Sequence, residues 1–222
     1  MTTEHAKSAA YSLAEEIANS LTHGLGALAS IVGLVVLVAT AVLHGNATHV
    51  TAVSIYGGSL VLLYTASTLY HSIPIPAAKK VLKVLDHSAI YVLIAGTYTP
   101  FALVSLEGPA RWTLFTTIWV LAAAGILFKL FFTGRLEKLS VAIYLAMGWC
   151  VVAFADPVLA AVPTQALWLM LAGGLAYSGG VVFYLWERLR FNHAIWHLFV
   201  MSGSLLHFFA VLWFVLPPAP LV

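Results

Sequence analysis

Long apolar runs, each close to twenty residues and separated by short polar breaks, dominate the chain. Seven can be traced, over about 21–43, 50–71, 86–105, 112–132, 139–155, 164–186 and 194–216. A helix needs about 20 mostly apolar residues to cross the hydrocarbon core of a bilayer. Backbone groups in lipid must find partners within their own segment, so each run is predicted to be a helix. The strands of an outer-membrane barrel would be shorter and would alternate apolar with polar positions, a pattern these runs lack. The first run is too long for the core of a secretory signal and follows Glu15 and Glu16, so it counts as the first span. Ahead of it, Ala10, Leu13, Ala14 and Ile17 recur at helical spacing with Glu15 and Glu16 opposite. That pattern predicts a short amphipathic helix lying on the cytoplasmic leaflet.

The basic residues give this frame a direction. Lys7, then Lys79, Lys80 and Lys83, then Lys129, Arg135 and Lys138, then Arg188 and Arg190 fall on one side of the bundle, and only Arg111 falls on the other. Nine against one is a strong positive-inside bias, which places the N-terminus in the cytoplasm and the C-terminus outside. Six or eight spans would spoil the alternation.

Composition removes the competing classes. The chain is 62% hydrophobic and 8% charged, against about 25% charged in soluble domains. A soluble enzyme, a nucleic-acid binder and a disordered protein are therefore all poor readings. A net charge of +2 is too small to suggest a polyanion partner. Cys150 is the one cysteine, which excludes an internal disulfide and a thiolate metal cluster. No long linker, repeat or low-complexity stretch interrupts residues 1–222, so they form one all-α membrane domain.

Ionisable side chains within a bilayer are expensive and default to functional hypotheses. His23, His71, His87, His193 and His197, together with Asp86, fall at one membrane level near the cytoplasmic face. His193 and His197 are four residues apart, which puts both imidazoles on one helix face, where they can share a metal ion. Ser67 and His71 have the same spacing. Three imidazoles with a water in the fourth position make the open tetrahedral arrangement of catalytic zinc. With no thiolates nearby, zinc is the first choice among divalent metals. A lone histidine at a membrane edge is more often an interfacial or hydrogen-bonded residue. The metal reading rests on the pair together with His71 and Asp86 at matching depth. His207 lies deeper and is read as a structural hydrogen-bonding residue.

The residues that carry a family likeness are Glu16-x-x-Asn19-x-x-x-His23, Ser67-x-x-x-His71, Asp86-His87-Ser88-Ala89-Ile90-Tyr91, Ala95-Gly96-Thr97-Tyr98-Thr99-Pro100-Phe101 and His193-x-x-x-His197. On these the chain resembles the bacterial hemolysin III proteins, within the progestin and adipoQ receptor (PAQR) family, related to alkaline ceramidases. The resemblance implies a seven-helix bundle with a cytoplasmic N-terminus, in the bacterial inner membrane. It implies one zinc ion held by His71, His193 and His197, with Ser67 and Asp86 beside the metal and its water. The other motif residues, Asn19, His23, His87, Tyr91 and Tyr98, become candidates for supporting the ligands or touching substrate. The long cytoplasmic N-terminal region of the adiponectin-receptor-like animal proteins is not seen, so receptor signalling is not expected.

Zinc lowers the pKa of water towards 7. Asp86 could hold or deprotonate that water, and Ser67 could donate to it or to a developing oxyanion. The expected chemistry is hydrolysis of a lipid amide or ester, with an acyl chain arriving from the membrane. One alternative is a structural zinc pin in a membrane sensor or lipid-homeostasis protein. Another is a cytolysin, although the polar residues gather at one end and form no stripe across the membrane. A retinal protein is disfavoured, because the last span has no lysine. Among the remaining features, Pro100 should kink its helix and Gly96 should allow close packing. Ala172, Ala176 and Gly180 form a small-residue stripe. Lys79, Lys80 and Lys83 should snorkel to headgroups. Trp112, Trp168 and Trp186 should anchor at interfaces, and Trp196 should pack on a neighbouring helix or lipid.

Overall fold

The computed structural model describes residues 11–217. Lys7 and Ala10, used above, lie outside them. Seven helical spans are present and no strand occurs among the described residues. They are α1 (Leu13–His44), α2 (Ala47–Ser72), α3 (Pro76–Pro100), α4 (Gly108–Phe132), α5 (Glu137–Gly148) joined to α6 (Ala155–Ala161), α7 (Thr164–Leu185) and α8 (Asn192–Phe214).

Local chemistry sets the ends. Ser12 and Glu15 form a reciprocal capping box on α1, with Ser12 N donating to Glu15 Oε2 at 2.9 Å, which satisfies amides that would otherwise be orphaned. Asn46 caps α2 by accepting from the amides of Thr48 and His49. Pro76 opens α3, in the first turn, where a missing N–H costs nothing.

Two elements, α1 and α3, begin two turns or more before their apolar runs. The predicted amphipathic stretch is no separate helix: from Leu13 onward it is the first turns of α1. Leu13 and Ile17 face outward, while Asn19 is buried. Helix α3 starts at Pro76, ten residues before the apolar run, because lysine-bearing turns extend it beyond the hydrocarbon. The kink expected at Pro100 takes the form of a wide turn over Phe101–Ser105, closed by Leu106 N donating to Phe101 O at 3.1 Å. Such a turn absorbs the missing proline N–H.

The fifth span is broken in its middle by a 3₁₀ turn over Trp149–Phe154. Tyr98 repairs the broken ladder: its hydroxyl donates to Gly148 O at 2.6 Å and accepts from Val151 N at 2.9 Å.

Helices α2 and α3 are the interior ones, and the other spans turn broad apolar faces outward. Helix α1 packs on α2 and α8, α3 on α2 and α4, and α7 on α8, while the fifth span is held more lightly against α3, α4 and α7. Gly96 makes the expected close approach: a Cβ there would lie 2.2 Å from Ser59 Oγ. The stripe on α7 is realised in part: Gly180 meets α8 as predicted, and Gly173 takes the place expected of Ala172, which is exposed. Trp112, Trp168 and Trp186 stand exposed near helix ends, consistent with anchoring at an interface.

Candidate metal centre

The chemistry gathers at one end of the bundle. His71 comes from the last turn of α2, and His193 and His197 come from the first two turns of α8. All three are buried, and each offers one nitrogen within 4.8 Å of the others. Their ring centroids are 5.0 Å (His71–His193), 5.3 Å (His71–His197) and 4.5 Å (His193–His197) apart. The shared face read from the four-residue spacing is thus realised, and a residue more than a hundred positions away completes the cluster.

Helix α1 backs this cluster. Glu16 Oε2 lies 2.6 Å from His71 Nδ1, and Glu16 Oε1 accepts from Lys79 Nζ at 2.5 Å. The Asn19 side-chain amide is 3.4 Å from His71 Nδ1. The Asn19 carbonyl is 3.2 Å and the Thr22 hydroxyl 3.0 Å from His197 Nδ1. His23 stacks on His197 with centroids 3.4 Å apart, and neither of its nitrogens has a partner among the described residues. Glu16 and Thr22 were not singled out as site residues from the sequence. The signal was present, since Glu16 opens the Glu-x-x-Asn motif, but a carboxylate in a first helical turn reads locally as a solvated face. Lys79 likewise turns in to Glu16, and Lys83 lies 3.9 Å from Glu137, each part-exposed at the same end of the bundle.

Asp86, Ser67, His87, His23, His193 and His197 line one cavity of about 150 Å³, whose wall is otherwise largely apolar. Glu137 joins them from α5, with His87 Nδ1 3.7 Å from its carboxylate. A second cavity of about 550 Å³ adjoins the first, sharing Tyr98, Trp149, Gly174 and His207 and opening beside the broken fifth span. Tyr98 therefore reaches the cavity wall, although its hydroxyl is committed to the backbone of that span. Tyr91 is not brought to the site. Gly125 leaves a slot on α4, and the buried Tyr91 ring fills it, 4.5 Å from the Tyr144 ring. His207 bonds the Gly203 carbonyl at 2.8 Å, the structural role expected. Trp196 packs on Gly180, as expected of a helix contact, and also borders the cavity.

Tyr11, just ahead of α1, places its ring 5.1 Å from that of His193 and 6.0 Å from that of His71. Burial pushes its phenol well above the usual range, with Tyr184 and Tyr70 adding to the effect, so it stays a neutral donor.

These features define a multi-pass membrane protein of seven helices in which three convergent histidines form a candidate metal centre at one end. The chain matches the Haemolysin-III related family over residues 11–208 and belongs to it. It is 53% identical over 205 residues to hemolysin-3 of Bacillus cereus, covering 92% of this chain and 94% of that one. It is 47% identical over 204 residues to the hemolysin-3 homolog of Bacillus subtilis (strain 168), covering 92% and 96%. More distantly, it is 29% identical over 209 residues to the monocyte to macrophage differentiation factor of Homo sapiens, covering 89% and 83%. No solved structure matches the chain.

Proposed function

We propose that the protein is a zinc-dependent hydrolase of an amide or ester bond in a membrane lipid, ceramidase-like in class. Its centre is His71, His193 and His197, near the cytoplasmic face of a bacterial inner membrane. The observation that carries this reading is the meeting of His193, His197, Asp86 and Ser67 on the wall of one largely apolar cavity. Three nitrogen donors with no thiolate suit zinc, and His71 Nε2 is buried with no hydrogen-bond partner among the described residues.

Zinc, when bound, supplies Lewis acidity, which makes water a nucleophile near neutral pH and polarises a carbonyl. Asp86 takes the proton as water attacks the acyl carbon, and returns it to the amine or alcohol that leaves. Ser67 donates a hydrogen bond to the carbonyl oxygen as negative charge builds there. The acyl chain lies along the apolar wall towards the second cavity. A structural zinc pin tying α2 to α8, in a sensor or lipid-homeostasis protein, draws support from a different observation. His71 is buried between α1 and α8 and does not line the cavity, the position of a tie between helices. A cytolytic pore is less well supported, because the ionisable groups gather at one end.

Asp86→Asn separates the two leading readings. In the hydrolase it keeps the shape and removes the base, so zinc stays bound while turnover falls by roughly 10²–10⁴-fold. A parent protein that holds zinc yet cleaves no ceramide, phospholipid or acyl-amide would establish the pin instead.

A further inference from the structure

We infer that α1, which contributes no ligand, sets the metal affinity of the centre. Glu16 and the turn from Asn19 to Thr22 hold His71 and His197 with the proton on Nδ1, leaving Nε2 of each ring free for the ion. This rests on reading the three histidines as metal ligands, though not on any turnover.

The argument is one of donors and acceptors. An ionised carboxylate only accepts hydrogen bonds, and so does a peptide carbonyl. Glu16 Oε2, 2.6 Å from His71 Nδ1, therefore requires the proton on that nitrogen; the Asn19 side chain, 3.4 Å from the same nitrogen, then presents its amide oxygen there, an atom with no other partner among the described residues. The Asn19 carbonyl, 3.2 Å from His197 Nδ1, requires the same of His197. Thr22 agrees, because its hydroxyl already donates to the carbonyls of Ala18 and Asn19 at 2.9 Å. Its oxygen is left to accept from His197. A neutral imidazole carries one proton, so Nε2 of each ring is left with its lone pair. His193 Nδ1 has no such partner among the described residues, so α1 orients two of the three rings.

Charge points the same way. Three neutral imidazoles leave a divalent ion's two positive charges uncompensated in a low-dielectric site. Asp86, Glu137 and Glu16 are the nearby carboxylates, and Glu16 is the one that meets a ligand ring, with Lys79 Nζ on its other oxygen at 2.5 Å. A carboxylate on the outer nitrogen also makes a histidine a better ligand. Residues 16, 19 and 22 return to one face of α1, which explains how one helix reaches both rings.

The test measures zinc affinity of the full chain in detergent micelles, by chelator competition, together with the visible spectrum of the cobalt-substituted protein. Glu16→Gln should weaken zinc about 10–100-fold and shift the cobalt bands. Thr22→Val should weaken it less, because the Asn19 carbonyl remains. Lys79→Met removes the α1–α3 bridge but leaves Glu16 on His71, so zinc affinity should stay within about fivefold, the scale of a part-exposed ion pair, with the cobalt bands unmoved. A Glu16→Gln protein with the parent's affinity and spectrum would overturn the inference. So would a Lys79→Met protein that loses as much as Glu16→Gln, since the bridge alone would then explain the effect. If Glu16→Gln does not fold, an unmoved affinity and spectrum in Thr22→Val overturns it equally. A parent protein that takes up no zinc would instead remove the metal reading of the three histidines, and the inference with it.

Discussion

Glu137→Gln removes the carboxylate that holds Lys129. The Lys129 side chain is fully buried, and its ammonium donates to Glu137 Oε2 at 3.0 Å. Taking away one member of a buried pair costs about 3–5 kcal/mol, because the other charge is left without compensation. An independent ceiling agrees: an ordinary lysine can escape by losing its proton, which at pH 7 costs about 4–5 kcal/mol. The reverse substitution is milder. The Glu137 side chain is 32% exposed and keeps Lys83 at 3.9 Å and the Gly134 amide at 3.0 Å. Lys129→Met should therefore cost only about 1 kcal/mol, in the range of a screened pair. The double variant should recover about 2 kcal/mol or more relative to Glu137→Gln, since two neutral side chains need no counter-charge. Reversible unfolding in mixed micelles measures all four corners of the cycle. Glu137→Gln proving no more costly than Lys129→Met would refute the reasoning, because it would mean that Lys129 is solvated.

The basic bias predicts an N-terminus inside and a C-terminus outside, so a reporter fused after Val222 should be active on the outer side; cytoplasmic activity would reverse the orientation. His193→Ala or His197→Ala should lower zinc content and melting temperature together, since the ion ties α2 to α8. Full zinc occupancy in the double variant would exclude both as ligands. Gly125→Ala should destabilise by about 1–3 kcal/mol through overpacking, because its Cβ would lie 2.3 Å from Cε1 of the fully buried Tyr91. An unchanged unfolding midpoint would show that Tyr91 can leave its slot.

Features that repeat with the period of one helix were legible in the order of residues alone. Twenty-residue apolar runs define the spans, because lipid satisfies no backbone group and only a closed hydrogen-bond ladder survives there. The four-residue step from His193 to His197 defines a shared face for the same local reason. The motif residues also carried the family, which the relatives bear out. Tertiary structure decided what depends on how helices rotate and pack against one another. Tyr91 and Tyr98 sit in neighbouring motifs, yet one fills a slot beside Gly125 and the other reaches the cavity and the broken fifth span. On α7 the predicted Gly180 meets α8, but Gly173 replaces Ala172 as its companion, because small residues recur there and only contact with α8 selects among them. Glu16 shows the limit most clearly. Within its own helix it is a first-turn carboxylate like Glu15, and nothing local separates the two. Packing of α1 against α2 turns Glu16 to His71, 55 residues away, while Glu15 closes the capping box on Ser12.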